Sequence, residues 1–405
     1  MCLDKNHFSQ ILLNRFNLNK KMKIAFVTTY DARNILNWSG TSYYISKSLE
    51  RQDNTLMYIG NLRRQVSPID KIKKVSCNIF SNKDFVLDRT IAVSQKYCDQ
   101  VEAQLQDQSC DCIFSIGSLE MAYLKTKTPK IFYTDATFAS MIDYYKGFKN
   151  LSPEIIRQGH KIEKQALENC TMAIYSSEWA ANSARDFYGI DEAKIKVVPL
   201  GANIEIQYSK KEITEFIGNK TNSSLKILFN GIDWERKGGD VVIETIKEIK
   251  KRGVAVELHL VGGNTRHNGP LPDFIFDHGF LNKSIEKEKA ILTRLYTTCH
   301  FLFVPSYAEA FGLVFCEASA FGMPSISRST GGIPSIIYNG RNGFLLNKED
   351  QVKQYADLIC KHFLNKEKYY ELSLSSYNEF STRLNWNTSG ELLSAMIKEV
   401  VHNQS

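Results

Sequence analysis

The chain lacks any apolar run long enough to span a bilayer, so a transmembrane anchor is not expected. Its first residues, MCLDKNHFSQILLNRFNLNKKMK, hold no uninterrupted apolar stretch of the kind a secretory leader needs. Met22 opens MKIAFVTTY and reads as a more natural start, with residues 1–21 as a dispensable extension. The nine cysteines are odd in number and scattered, and no C-x-x-C occurs. A disulfide framework and structural zinc are therefore not expected, and a reducing compartment fits. Low-complexity tracts and short-period repeats are absent, as is the G-x-G-x-x-G dinucleotide fingerprint after the first strand-like run.

At 405 residues the chain is too long for one ordinary core. The net charge of +7 is uneven: residues 1–200 carry +6 and the remainder +1. Arg63, Arg64, Lys71, Lys73 and Lys74 crowd into NLRRQVSPIDKIKKV. Two readings stay open for this segment: a solvated face, or a patch that meets anionic lipid or an anionic acceptor.

What recurs along the chain is a short apolar run, a loop and a helical pattern. The runs are KIAFVTTY, CDCIFSIG, KIFYT, MAIYSS and KIKVVPLG, then LKILFNG, AVELHLVGG, HFLFVPS and PSISR. Continuous rather than alternating runs suit parallel strands buried on both faces. Helical segments such as PEIIRQGHKIEKQALENC and GDVVIETIKEIKKRG lie between them. The pattern predicts two doubly wound α/β domains, residues 1–203 and 204–384. Residues 385–405 read as a terminal helix for which either domain is a possible seat, the N-terminal one included.

Ligands of such sheets bind beyond the carboxyl ends of the strands. There stand NWSGTS, Asp135, IDWERKGGD, YAEAFG and STGG, which predicts a cleft lined from both domains. Arg236 and Lys237 read as a loop pair before a helix, suited to a pyrophosphate, and Gly40 as a small-residue turn. Glu309 and Glu317 stand eight apart around a helix start, where free N–H groups of Gly312, Leu313 and Val314 suit a phosphate or hydroxyl. Carboxylates accept paired hydrogen bonds from vicinal hydroxyls, so Glu309 suits a sugar and Glu317 a ribose.

The stretch PSYAEAFGLVFCEASAFGMPSISRSTGGIPSIIYNGRNGFLL (305–346) resembles the retaining glycosyltransferases of family 4, which have the GT-B fold. ILFNGIDWERKGGDVVIETI and SSEWAANSARDFYGIDEAKIKVVPLGAN agree with it, in the expected order. The resemblance implies GT-B architecture, two doubly wound Rossmann-like domains facing across a cleft. It implies transfer of a sugar from a nucleotide-diphosphate donor, UDP or GDP in form, with no metal and no further cofactor. Arg236 and Lys237 then match the pair on the donor diphosphate, Glu309 the residue on the sugar, and Glu317 the one on the ribose. Phe311, Gly312, Leu313 and Val314 match the turn whose backbone meets sugar and phosphate. Gly40 matches a loop facing the diphosphate, and Phe280, in DHGFLNK, the loop that reads the base. Asp135 stands where many members have histidine; His160 reads as structural.

The implied acceptor is a glycan, glycolipid or lipid-linked hydroxyl, handled in the cytoplasm or at the inner face of the membrane; nucleic acid is not expected as a partner. Two rivals keep the site but change the outcome. A nucleotide-sugar epimerase or hydrolase would form product without acceptor, and a binding protein would turn nothing over.

Overall fold

The computed structural model describes residues 21–106, 108–220, 223–262, 271–347, 349 and 352–403. The extension read over 1–21 lies outside them except for Lys21. The chain divides into two compact units, Met1–Leu200 with Trp386–Ser405, and Gly201–Asn385.

The first unit is built on a six-stranded parallel sheet in the order β2-β1-β3-β4-β5-β6. Its strands are β1 (Lys23–Val27), β2 (Thr55–Ile59), β3 (Cys112–Ser115), β4 (Lys130–Thr134), β5 (Met172–Tyr175) and β6 (Ile195–Val197). The inner strands are largely apolar, apart from Lys23 and Lys130 at two strand starts and Ser115 and Thr134 at two strand ends, and β3 and β5 are wholly buried. Helices α1 (Thr41–Glu50), α2 (Pro68–Ser76), α3 (Ile91–Leu105), α4 (Phe138–Met141), α5 (Pro153–Asn169) and α6 (Glu178–Asp186) connect them. In α5, Pro153 takes the first helical position, where no N–H is needed, and the Ser152 hydroxyl caps Ile155 N.

The second unit carries β7 (Leu225–Asn230), β8 (Val256–Val261), β9 (Ile275–Asp277), β10 (Phe301–Val304), β11 (Ser325–Arg328) and β12 (Gly343–Leu346). Its sheet runs β12-β11-β10-β7-β8-β9, again parallel. Its helices are α7 (Lys210–Gly218), α8 (Trp234–Lys237), α9 (Gly239–Lys251), α10 (Glu286–Thr298), α11 (Leu313–Ala320), α12 (Val352–Leu364) and α13 (Lys366–Arg383).

The last helix, α14 (Trp386–His402), returns to the first unit and packs on α1. Small residues on its face permit the approach. A Cβ on Gly390 would stand 2.7 Å from the Ser48 carbonyl oxygen. Ser389 donates to Pro199 O at 2.7 Å, and Asn54 donates to the Ser394 hydroxyl at 3.1 Å. The Trp386 indole stacks on Tyr44 with centroids 6.3 Å apart.

Candidate functional site

Read from its far edge, the second sheet has the strand order 3-2-1-4-5-6, which reverses direction between β7 and β10. At that point the helices after neighbouring strands leave on opposite faces, and the carboxyl ends open a crevice. Gly231–Lys237 follows β7, and Pro305–Leu313 follows β10. The topology thus brings Arg236, Lys237 and Glu309 to one edge.

Arg236 and Lys237 do not lie in a loop. They close the single turn of α8, because the Asp233 side chain accepts from Arg236 N at 3.2 Å and nucleates it. Gly238 ends the turn in the left-handed region at φ 76°. A Cβ there would stand 2.5 Å from the Pro305 carbonyl oxygen, and one on Gly239 would stand 2.3 Å from the Trp234 indole. Both glycines are thus required by the chain's own packing. Tyr307 N donates to Arg236 O at 2.8 Å and ties the two arms together.

The Arg236 guanidinium donates through Nη1 to Ala308 O at 2.8 Å and to Glu309 Oε2 at 3.3 Å. Its Nε reaches Asp233 at 3.3 Å. Lys237 Nζ pairs with the same Glu309 oxygen. The Lys237 and Glu309 side chains are only 11% and 13% exposed, so this attraction is weakly screened by water. Two cations therefore share one carboxylate beside the start of α11.

That helix start has no side-chain cap. Gly312 precedes it at φ 106°, and a Cβ there would meet the Phe315 ring at 2.7 Å. The Phe311 side chain is buried in the core, which leaves its backbone as the part that a ligand can meet. Leu313 and Val314 are half-buried. Glu317, four residues on, is only 2% exposed. It is held by Lys283 Nζ on one oxygen and by the Tyr296 hydroxyl, at 2.8 Å, on the other. Asn230 donates to the Tyr296 hydroxyl at 3.1 Å, and Lys283 also reaches Asn203 O at 3.4 Å. Burial and the Glu317 charge push the Tyr296 phenol well above its ordinary range.

Lys283, Tyr296 and Asn230 were not singled out in the sequence. Lys283 closes the segment DHGFLNK, 34 residues before Glu317, and the sequence does not place it beside that acid. Tyr296 looks like one more core residue of α10, and Asn230 like a strand end; neither carries a signal. Phe280, in the loop after β9, is 59% exposed. The loop is pinned by Gly279 N to Asp277 at 2.8 Å and by Gly262 N to Gly279 O at 2.9 Å.

Gly40 and Asp135 belong to the first unit. Its sheet reverses between β1 and β3, and Gly40 lies in the connection after β1. Trp38, Ser39 and Gly40 take φ values of 45°, 54° and 85° in succession. For the two residues with a Cβ this costs about 1–2 kcal/mol each. Asp135 follows β4 but does not cap α4. Thr137 does, in a reciprocal capping box with Ser140. Tyr30, after β1, has its phenol pushed up to about 12, mainly by burial, with Glu120 and Asp135 adding negative charge. Glu120, after β3, is pushed up to about 7 by burial and accepts from the Ser115 hydroxyl at 3.1 Å. His160 sits inside α5 at 3.0 Å from the Tyr188 hydroxyl, among Phe138 and Phe187, in keeping with a packing role. Among the described residues no three His, Cys, Asp or Glu side chains gather as metal ligands would.

Residues 224–365 match the family model described as "Glycosyl transferases group 1". A D-inositol 3-phosphate glycosyltransferase from Nocardiopsis dassonvillei is 27% identical over 246 residues, 57% of this chain and 56% of its own length. Across the first three curated relatives, the matched share of their length is 51–65%. Sucrose-phosphate synthase from Thermosynechococcus elongatus superposes with a TM-score of 0.66 at 16% identity, covering 95% of this chain and 100% of its own. HepE from Anabaena, solved in complex with UDP and glucose, gives a TM-score of 0.59 at 15% identity, covering 93% and 99%. The chain has the two-unit GT-B fold, and through its second unit it is related to the group 1 glycosyltransferases.

Proposed function

We propose that this chain is a retaining glycosyltransferase. It moves a hexose-type sugar from a UDP- or GDP-sugar to the hydroxyl of a glycan, glycolipid or lipid-linked acceptor, in cell-surface polysaccharide, lipopolysaccharide or glycolipid synthesis on the cytoplasmic side. The observation that carries the reading is the convergence of Arg236 and Lys237 on Glu309, at the sheet's reversal and beside an uncapped helix start. The family match over 224–365 and a relative named as a glycosyltransferase support it.

In this reading the donor diphosphate takes the place of Glu309 as partner of the two cations. The bond between the sugar's anomeric carbon and the diphosphate oxygen breaks, and its electron pair stays on the diphosphate. The acceptor oxygen bonds to the same face of that carbon, and its proton passes to a diphosphate oxygen. Negative charge grows on the leaving group, so Arg236, Lys237 and the N–H groups of Gly312, Leu313 and Val314 act more strongly on the transition state than on the ground state. Phe311 contributes its backbone to the same turn. Glu309 then accepts from sugar hydroxyls. Glu317, held by Lys283 and Tyr296, accepts from the ribose. Phe280 is the candidate beside the base, and Gly40 and Asp135 are the candidates from the first unit.

The test follows nucleoside diphosphate release from a panel of nucleotide sugars supplied with lipid-linked and soluble glycan acceptors. Lys237→Ala should lower turnover by roughly 100- to 1000-fold, as loss of an oxyanion donor does, with the fold intact by circular dichroism. The product's anomeric configuration, read by NMR, should equal the donor's. Wild-type turnover in the variant would overturn the reading.

A further inference from the structure

Helix α2 is turned inside out. Its one buried residue is Asp70, which accepts from the Ser67 hydroxyl at 2.9 Å. The chain continues from it as a wider helical turn over Cys77–Ser81. On the inner side Cys77 packs on Phe85, Phe138, Leu151 and Ile155, and Lys73 pairs with Glu154. Outward stand Ile69, Ile72, Val75, Ile79 and Phe80, exposed by 65%, 68%, 57%, 69% and 84%. A surface helix ordinarily turns such a stripe to the core. Five large apolar side chains exposed within twelve residues form a patch, not the scattered singles of an ordinary surface.

The rim of the patch is basic. Lys71 and Lys74 are exposed, and among the described residues neither makes an ion pair. Arg63 and Arg64 stand exposed just upstream, Arg64 beside Asp88. A second copy seated on this face would set lysines against lysines. A membrane with anionic headgroups satisfies both parts: the stripe enters the acyl boundary, and the rim meets the phosphates. We propose that α2 and the turn after it lie in the surface of an anionic bilayer and dock the first unit there. The inference deepens the lipid-linked acceptor reading, since it would hold the protein where such an acceptor resides.

The test uses the full chain and flotation with phosphatidylcholine vesicles, with and without phosphatidylglycerol. Wild type should float with the anionic vesicles, less so at high salt, and not with the neutral ones. Ile72→Asp with Phe80→Asp should cut partitioning by about ten-fold or more, because charge replaces the inserted stripe. Lys71→Glu with Lys74→Glu should remove a factor of roughly five per lysine and flatten the salt dependence. All these residues are exposed, so thermal midpoints should hold. No flotation of wild type, or flotation indifferent to the Ile72/Phe80 variant, overturns the proposal. So does a wild-type dimer by sedimentation that this variant dissociates without any vesicle binding. Lys237→Ala should float like wild type; loss of turnover with flotation intact, or the converse, separates a failure of this proposal from a failure of the catalytic one.

Discussion

The two sheets reverse direction in the same way, yet the chemistry at their reversal points is opposite. At β1 and β3 the groups are Tyr30 and Glu120. Both are driven by burial toward their neutral forms, and Glu120 is held by a serine hydroxyl. Glu163, on α5, repeats the pattern: buried, raised by burial, and held by the Ser118 hydroxyl at 2.7 Å. Among the described residues neither acid makes an ion pair. At β7 and β10 the acids keep cations. Glu309 has Arg236 and Lys237, and Glu317 has Lys283. Deeper in the same unit, Glu379 has Arg341 and Arg383. One topology thus accommodates an edge whose acids rest on hydroxyls, with the buried Arg89 guanidinium acting on them from beyond ion-pair distance, and one whose acids pair directly with cations.

The sharpest way to break this contrast is Glu379→Ala. Glu379 is 1% exposed, and Arg383 at 14% cannot turn freely to water. Arg383 also donates to Ser335 O and Ile336 O, and its guanidinium lies 4.1 Å over the Tyr338 ring. Removing the acid leaves a buried charge without its partner, which should cost about 3–5 kcal/mol in urea unfolding. An effect under about 1 kcal/mol would mean that the pair is a surface-type bridge.

Glu120→Gln should act in the other direction. The unfolded carboxyl titrates at 4.5 and the folded one at about 7, so between these values the folded state binds the extra proton. Stability is then lost as pH rises through that window. The variant should remove the loss and gain up to roughly 3 kcal/mol over wild type at pH 8, with little gain at pH 4. A gain independent of pH would show that Glu120 is not the group responsible.

Ser118→Ala gives the smallest effect. It strips the hydroxyl from Glu163 and should cost about 1 kcal/mol, growing at high pH as the acid is forced to ionise. A constant small loss would reduce Ser118 to packing.

Much of this architecture is readable from apolar runs, and what escapes them has one cause. Strands β2, β9 and β12 have no counterpart among the runs, and each is a sheet edge. TLMYI is half-exposed along most of its length, and Phe276 and Asp277 of β9 are exposed. The missed edge strands leave much of their length half-exposed or exposed, whereas an inner strand such as β11 is wholly buried even with the sequence SISR. The site divides similarly. Arg236 and Lys237 sit in one legible motif and Glu309 in another, 72 residues on from Lys237, and each motif is recognisable by itself. The clasp on Glu317 joins residues from β7, the β9 loop, α10 and α11, far apart in sequence, and only the sheet order brings them together. Gly238 and Gly239, just past the end of α8, are already required by Pro305 and Trp234.

The central claim is that the second unit's ionic edge holds a nucleotide diphosphate. It is tested most directly by thermal unfolding with UDP, GDP and ADP, in wild type and in Glu317→Ala. At about a hundred times its dissociation constant a ligand adds roughly 2.7 kcal/mol, a shift of several degrees for domains of this size. The account predicts such a shift with one of these nucleotides, and its weakening in the variant. No shift with any of them, or an equal shift without Glu317, would contradict it.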